Sequence, residues 1–235
     1  MEVIFSKKGA SYLKNNMNIC LEDFTEKLLL DAKNHLNYFK EFVDYMIGLT
    51  PPYPYSKIEC ADPEYIQNDL FLNKKFCEFI DKNSISEGTS EYFISDTLRH
   101  AFISFKEGGL YRLFKFREAE GWYPKVIIRQ QINSRDSISN LETEVVVYRG
   151  TSKEEYDSGL FGQSWTLSEL VANDFAFKHY SVHDKYVNTS RVVIKTKIHK
   201  DSIYYYNSDD DEQETIIDER KIIIAPPEII VESVL

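Results

Sequence analysis

The sequence predicts an α+β fold in which a helical N-terminal half is followed by a strand-rich C-terminal half. Apolar residues in the first half recur at intervals of three and four, which is the spacing of an amphipathic helix. After Asn140, short runs of β-branched residues are separated by polar turns, as strands are. Because the helices come before the strands and do not alternate with them, the order favours an α+β fold. The 235 residues suffice for one large domain or two small ones.

Several helical segments are expected in the first half. Apolar positions from Leu21 to Met46 are spaced by three and four, which predicts one long amphipathic helix. The sequence LTPPYPY that follows ends it, because proline cannot continue a helix. The other expected helices are 63–81, 90–106, which Gly108 and Gly109 close, and 110–135.

Five short β-branched runs in the second half predict strands. They are VVVYRG (145–150), RVVIKTKI (191–198), ETII (214–217), KIIIA (221–225) and EIIVESVL (228–235). Between the first two lies SELVANDFAFKHY (168–180), whose apolar residues have helical spacing. No linker rich in Pro, Gly or Ser separates the two halves, so a single globule and two domains both remain open.

Composition argues against a membrane-spanning, secreted or zinc-dependent protein. The chain contains no apolar run of about 18 residues, and its N-terminus lacks the apolar core of a signal peptide. Cys20, Cys60 and Cys77 are scattered and have no CxxC spacing. We therefore expect a cytoplasmic protein with reduced thiols.

The charge is strongly acidic overall but basic in one segment. A net charge of −10 argues against binding nucleic acid through general attraction to phosphate. Residues 99–135 nevertheless contain eight Lys or Arg against three Glu, interleaved with aromatic residues. This segment is either a surface that stacks bases and binds phosphate, or a scaffold whose aromatic residues are core and whose cations pair with acidic residues.

The acidic run NSDDDEQETIID (207–218) is a candidate site. An EF-hand loop starting at Asp209 would need glycine at its sixth position and glutamate at its twelfth, which here are Glu214 and Arg220. The apolar residues after Glu214 predict a strand beginning at 212. Glu212 and Glu214 would then share a face, where two neighbouring carboxylates repel each other. Such a pair is either part of a catalytic site or two solvated glutamates at the edge of a strand.

Two upstream features add to this candidate site. Arg149 ends the apolar run VVVYRG, where arginine needs an anionic partner, which is either a ligand or a carboxylate within the fold. Gly150 beside it would leave room for a ligand to approach the backbone. Ser164 and Thr166 lie on one face if their segment is extended. A helix follows, with Ser168 or Thr166 as its N-cap.

Taken in order, these motifs resemble those of the mono-ADP-ribosyltransferases of the Arg–Ser–Glu (R-S-E) class. Arg149 matches the arginine of the first strand, Ser164-Trp165-Thr166 matches the Ser-Thr-Ser motif with a bulky middle residue, and Glu212-Gln213-Glu214 matches Glu-x-Glu. The resemblance spans about 145–235. It implies a core of two small packed β-sheets with an NAD cleft between them, in a catalytic domain expected over 86–235 after a helical region over 1–85.

The resemblance also implies a role for each residue. Arg149, with Gly150 beside it, would bind a phosphate of NAD. Ser164 would hydrogen-bond near the catalytic carboxylate and Thr166 would support the same wall, whereas Trp165 would either shape the nicotinamide pocket or belong to the core. Glu214 would stabilise the oxocarbenium-like ribose and Glu212 would take a proton from the acceptor. The loop over 204–211 would meet the acceptor, with Tyr204, Tyr205 or Tyr206 as a stacking platform. No metal would be required.

The resemblance also implies an acceptor for the ADP-ribose group and a biological setting, with alternatives for each. Glu212 favours protein arginine as the acceptor, because the family associates glutamate at that position with arginine, but transfer to RNA or DNA bases remains an alternative. A bacterial or phage-related toxin in the cytoplasm, neutralised by an antitoxin protein, is the expected setting. A catalytically silent binding module of the same fold is the alternative from another class.

Overall fold

The structure is a computed structural model, and it describes residues 4–50, 65–115, 122–132, 138–179, 189–208, 211–222 and 226–232. The chain divides into two compact units, Met1–Ile127 and Ile128–Leu235. The described elements of the first unit are helices, and those of the second include six strands. The α+β class is therefore confirmed. The expected separation of a helical region and a catalytic domain at residues 85 and 86 stays a prediction.

The described residues of the first unit form five α-helices around a core rich in phenylalanine. The helices are α1 (Lys7–Asn15), α2 (Leu21–Asp31), α3 (Leu36–Leu49), α4 (Tyr65–Lys82) and α5 (Ser90–Lys115). Its largest fully buried side chains include Phe24, Phe39, Phe42, Phe102, Phe105 and Phe114.

The long helix expected from Leu21 to Met46 is wrong, because the structure has two helices there. Ala32, with φ −137° and ψ 24°, ends α2, and a 3₁₀ turn over Lys33–His35 leads into α3. Asn34 and His35 in this turn have low helix propensity. The apolar spacing therefore predicted which side chains of α2 and α3 are buried, but not the 3₁₀ turn that separates the two helices.

The glycine pair at 108–109 interrupts a helix but does not end it. Gly109 has φ 64° and ψ −150°, a conformation that only glycine adopts readily, and α5 continues beyond it to Lys115. The helix expected over 110–135 is thus present to Lys115. It is wrong for 122–132, which contains an isolated bridge between Val126 and Ile19 and no helix. Residues 116–121 and 133–137 lie outside the described residues.

The described part of the basic, aromatic segment fits the scaffold interpretation. Its buried aromatic side chains are Phe102, Phe105, Phe114, Trp122 and Tyr123. Arg99 pairs with Asp96 at 2.7 Å, and Arg129 makes two hydrogen bonds to Glu219 of 2.6 and 2.7 Å. These aromatic side chains are packed in the core and the two arginines are held in ion pairs. The buried rings therefore do not form a platform on which bases could stack.

The second unit contains a six-stranded antiparallel sheet. Its strands are β1 (Glu144–Ser152), β2 (Ser164–Thr166), β3 (Arg191–His199), β4 (Ile203–Tyr206), β5 (Glu214–Ile217) and β6 (Glu228–Glu232). The helices are α6 (Lys153–Ser158) and α7 (Glu169–Asp174), and a π-helical turn over Phe175–His179 follows α7. Four of the five predicted strands are present. The exception is KIIIA, where Lys221 ends a 3₁₀ turn and residues 223–225 lie outside the described residues.

The sheet consists of two three-stranded halves that meet at one point. The strand order is β4-β5-β2-β1-β3-β6. Whereas β1 and β3 pair over nine consecutive residues, β1 and β2 pair at a single position, Tyr148 with Thr166. The expected two sheets are therefore joined into one, although the join is narrow. We call this place the β1–β2 junction.

Candidate functional site

The β1–β2 junction lies beside the residues that the sequence singled out. Thr166 pairs with Tyr148 of β1 on one side and with Glu214 of β5 on the other. Directly paired residues point to the same face of a sheet, and so do residues two apart on one strand. Ser164, Thr166 and Glu214 therefore share a face.

A chain of hydrogen bonds links Arg149, Ser164 and Glu214. The Arg149 Nη1 donates to the carbonyl oxygen of Ser164, and the Ser164 hydroxyl donates to Glu214 Oε1 at 2.9 Å. The hydrogen bond between serine and the catalytic carboxylate that the resemblance implies is thus present. Glu214 is only 7% exposed at the start of β5. Three residues separated by 15 and 50 positions in the sequence come together here.

Glu155 was missed by the sequence analysis, yet it is the anionic partner of Arg149. Its carboxylate accepts from Arg149 Nε at 3.1 Å and from Nη2 at 3.2 Å. The Thr151 hydroxyl and the Gly162 backbone N–H also donate to it. Burial by itself raises the pKa of Glu155, but the charge of Arg149 and these hydrogen bonds outweigh it, so the pKa lies below its ordinary value.

A local sequence signal marks the position of Glu155. Ser152 and Glu155 have the S-x-x-E spacing of a capping box, and the Ser152 hydroxyl accepts from the Glu155 N–H at 3.0 Å at the start of α6. The motif predicts a helix start. It does not show that α6 returns the glutamate to β1, where the carboxylate meets Arg149.

Glu212 does not lie on the strand that was predicted to contain it. The strand β5 begins at Glu214, and Gln213 has a φ of 45°, in the left-handed region. Alternation along a strand therefore does not apply between Glu212 and Glu214, so the expectation that they share a face by this rule is wrong. Glu212 lies in a turn, where its carbonyl oxygen accepts from the Thr166 hydroxyl at 2.8 Å. Asp209 and Asp210 lie outside the described residues.

Gly150 was expected to leave room for a ligand, but the structure shows that glycine is needed there for close packing of the backbone. A Cβ at this position would lie 2.2 Å from the Ala172 carbonyl oxygen and 2.5 Å from the Ala176 backbone nitrogen. The space is filled by the backbone of α7 and the π-helical turn, so it is not open to a ligand. Gly162 is the glycine that borders the site, because a Cβ there would lie 2.9 Å from Arg149 Nη2.

Trp165 belongs to the core. Its side chain is 2% exposed, packs with Val147 and Ile194, and donates from Nε1 to the Gly162 carbonyl oxygen at 2.9 Å. Of the two roles left open for it, the structure supports packing in the core. The N-cap of α7 is Ser168, whose hydroxyl accepts from Val171.

Tyr204, Tyr205 and Tyr206 form a strand and not a loop. They belong to β4, which pairs with β5, and the first two are buried. The hydroxyl of Tyr204 accepts a hydrogen bond from Arg220 at 3.2 Å. Burial raises the pKa of Tyr204, and the neighbouring Asp218 adds to this effect. Burial of Tyr204 and Tyr205 argues against a stacking platform formed by these two residues, whereas Tyr206 is half-buried and its role stays a prediction.

The site combines a buried carboxylate, a hydroxyl that donates to it, and a guanidinium beside them. No described helix is long and apolar enough to cross a bilayer. Within the described residues, no cluster of three or more His, Cys, Asp or Glu suits a metal ion. Comparisons with protein-family models, with curated proteins and with solved structures give no match for this chain.

Proposed function

We propose that this protein is an NAD-dependent mono-ADP-ribosyltransferase of the R-S-E class. The observation that supports it best is the hydrogen-bonded chain from Arg149 through Ser164 to Glu214 at the β1–β2 junction. The sequence motifs predict the same three residues. The Ser164 hydroxyl reaches the Glu214 carboxylate and the Arg149 guanidinium reaches the Ser164 backbone carbonyl, which supports assigning the three short motifs to one site.

Glu214 is the proposed catalytic carboxylate. Cleavage of the bond between nicotinamide and ribose builds positive charge on the ribose, and a carboxylate nearby stabilises that charge only as it develops. Ser164 donates to Glu214 Oε1, which keeps the carboxylate oriented. Glu214 therefore contributes to the transition state more than to NAD binding.

Arg149 is the proposed ligand of the NAD pyrophosphate. A guanidinium binds phosphate oxygens through paired N–H groups, which the point charge of lysine cannot do. Glu212, in the turn before β5, is the proposed base that takes a proton from the acceptor. Its half-buried position in a turn supports this role.

Protein arginine is the proposed acceptor, on the strength of Glu212 and of an acidic turn that would attract a guanidinium. The proposed biological role is that of an intracellular toxin, which an antitoxin protein neutralises. The buried aromatic residues of 99–135 give no support to a nucleic-acid acceptor, which the experiment below includes as an outcome.

The test is release of nicotinamide and transfer of label from NAD labelled in its adenylate part. We expect Glu214→Gln to lower nicotinamide release by about 10²–10³-fold, because it removes the charge and keeps the size of the side chain. Glu212→Gln should lose transfer to protein while retaining NAD hydrolysis. Glu144→Gln, at an exposed position at the start of β1, is the matched control and should behave as the wild type.

Each other outcome has a definite meaning. If the wild type neither releases nicotinamide nor transfers label, the protein is not a transferase of this class and the binding-module alternative stands. If label appears only in RNA or DNA, the acceptor is a nucleic acid. If Glu212→Gln loses hydrolysis and transfer equally, Glu212 does not act on the acceptor side.

A further inference from the structure

We propose that Glu155 is a positioning residue for Arg149, and that it raises the affinity of the site for ligands that contain a pyrophosphate, such as NAD and ADP-ribose. This inference rests on the proposed function, because it assumes that Arg149 binds that pyrophosphate. It concerns a residue on α6, which is outside the three sequence motifs of the site.

The contacts of Glu155 are those of a residue that fixes a guanidinium. The carboxylate spans the edge formed by Arg149 Nε and Nη2, with hydrogen bonds of 3.1 and 3.2 Å. Its own orientation is set by the Thr151 hydroxyl and by the Gly162 N–H, which donates at 2.9 Å. Both side chains are mostly buried, with Arg149 19% and Glu155 24% exposed. The pair therefore has one well-defined geometry.

In this geometry, some N–H groups of the Arg149 guanidinium can donate to a ligand. Arginine has five N–H donors. Among the described residues, Glu155 accepts from Nε and Nη2, and the Ser164 carbonyl oxygen accepts from Nη1. One N–H on each Nη atom remains, and the two nitrogens can donate to separate oxygens of a phosphate. The missing side chain of Gly162 allows close packing on the same guanidinium.

Removing Glu155 has two opposing effects on an anionic ligand. The net charge of the site becomes more positive, which favours the anion. The guanidinium also loses its fixed position, and an unrestrained arginine has many rotamers that a ligand must then restrict. Glu155 holds two nitrogens of a mostly buried guanidinium and is itself held by Thr151 and Gly162, so we infer that the second effect is larger and that the affinity falls.

The experiment compares Glu155→Gln with Glu154→Gln by equilibrium dialysis against NAD, ADP-ribose and nicotinamide, with steady-state nicotinamide release measured in parallel. Glu154 is the preceding residue and is exposed, so its substitution removes the same charge from the same turn of α6. For Glu155→Gln we expect about tenfold weaker binding of NAD and ADP-ribose. Nicotinamide binding should be unchanged, KM for NAD should rise, and kcat should stay within about threefold. Glu154→Gln should match the wild type.

The outcomes separate this inference from the proposed function. If the wild type binds neither NAD nor ADP-ribose, both fail. If the wild type binds them and Glu155→Gln binds them equally well or more tightly, only the role of Glu155 is overturned, and the ion pair merely attaches α6 to β1. If Glu155→Gln does not fold, Thr151→Val decides. That variant keeps the charge and removes one hydrogen bond to Glu155, so unchanged affinity for both ligands overturns the inference.

Discussion

Glu212 and Glu214 are two residues apart, yet their surroundings give them different chemical capacities. Glu214 is buried at the start of β5 and accepts from the Ser164 hydroxyl, whereas Glu212 is half-buried in a turn. The left-handed Gln213 separates them. Two carboxylates in such different environments are suited to different tasks. Thr166 connects both, because it pairs with Glu214 in the sheet and its hydroxyl donates to the Glu212 carbonyl oxygen.

Thr166→Val should therefore affect acceptor transfer more than NAD hydrolysis. Valine has nearly the same shape but cannot donate to the Glu212 carbonyl oxygen or accept from the Ser168 N–H, which the threonine hydroxyl does at 2.8 and 3.0 Å. The turn containing Glu212 loses an anchor, while the backbone pairing that places Glu214 remains. We expect transfer to fall by about tenfold and hydrolysis by less than about threefold. The measurement is the ratio of labelled protein to released nicotinamide.

A destabilised fold would reduce both activities and has to be separated from this effect. The buried groups left without partners should lower the free energy of unfolding by about 1–3 kcal/mol. Urea denaturation of the variant measures that loss directly. Equal reductions in transfer and hydrolysis at full folding would show that Thr166 does not act through the turn.

At the scale of elements, the strands that could be predicted are those whose own residues have a strand-like composition, whereas strands that depend on pairing with a neighbour could not. Strands β1, β3 and β5 could be predicted because each is a run of β-branched residues, so the residues of the strand alone indicate its structure. Strand β2 has only three residues, and β4 is mostly tyrosine beside an acidic turn, so both depend on pairing with β5. Three residues of the site could be predicted from motifs. The contact of Glu155 with Arg149 could not, because it depends on how α6 folds back.

Gly150→Ala tests how α7 is positioned against β1. A methyl group at residue 150 would lie 2.2 Å from the Ala172 carbonyl oxygen, and because the neighbour is backbone it cannot rotate away. We expect the free energy of unfolding to fall by about 1–3 kcal/mol or more. Hydrogen exchange should accelerate in 144–152 and 169–174.

Gly48→Ala is the matched control for this substitution. Gly48 lies in α3, and a Cβ there would meet nothing within 4 Å. Because alanine favours a helix over glycine by about 0.5–1 kcal/mol, this variant should be as stable as the wild type or more so. A Gly150→Ala protein with unchanged stability and unchanged exchange would mean that α7 shifts freely, and that the close contact does not position the helix.

At the scale of the whole molecule, the distribution of acidic groups determines how stability depends on pH. The chain has a net charge of −10 at pH 7, and its repulsion weakens as the pH falls towards 5. Two carboxylates of the second unit nevertheless need their negative charge. Hydrogen bonds from Arg220 lower the pKa of Asp218 despite its burial, and the contacts with Arg149 lower that of Glu155.

We therefore predict that the protein loses stability steeply in acid. A group whose pKa is lower in the folded state than in the unfolded state contributes stability above its unfolded pKa, about 4.3 for Glu and 3.9 for Asp, and that contribution disappears as the pH falls through the folded pKa. Urea midpoints at about pH 7, 5 and 3.5 should show a small change over the first interval and a large fall over the second. Glu155→Gln cannot titrate at this position, so it should be less stable than the wild type at pH 7, and the difference should shrink at pH 3.5. If the difference between the two proteins stays constant with pH, the ionised carboxylate of Glu155 does not stabilise the fold, and its contact with Arg149 contributes no more than a neutral hydrogen bond.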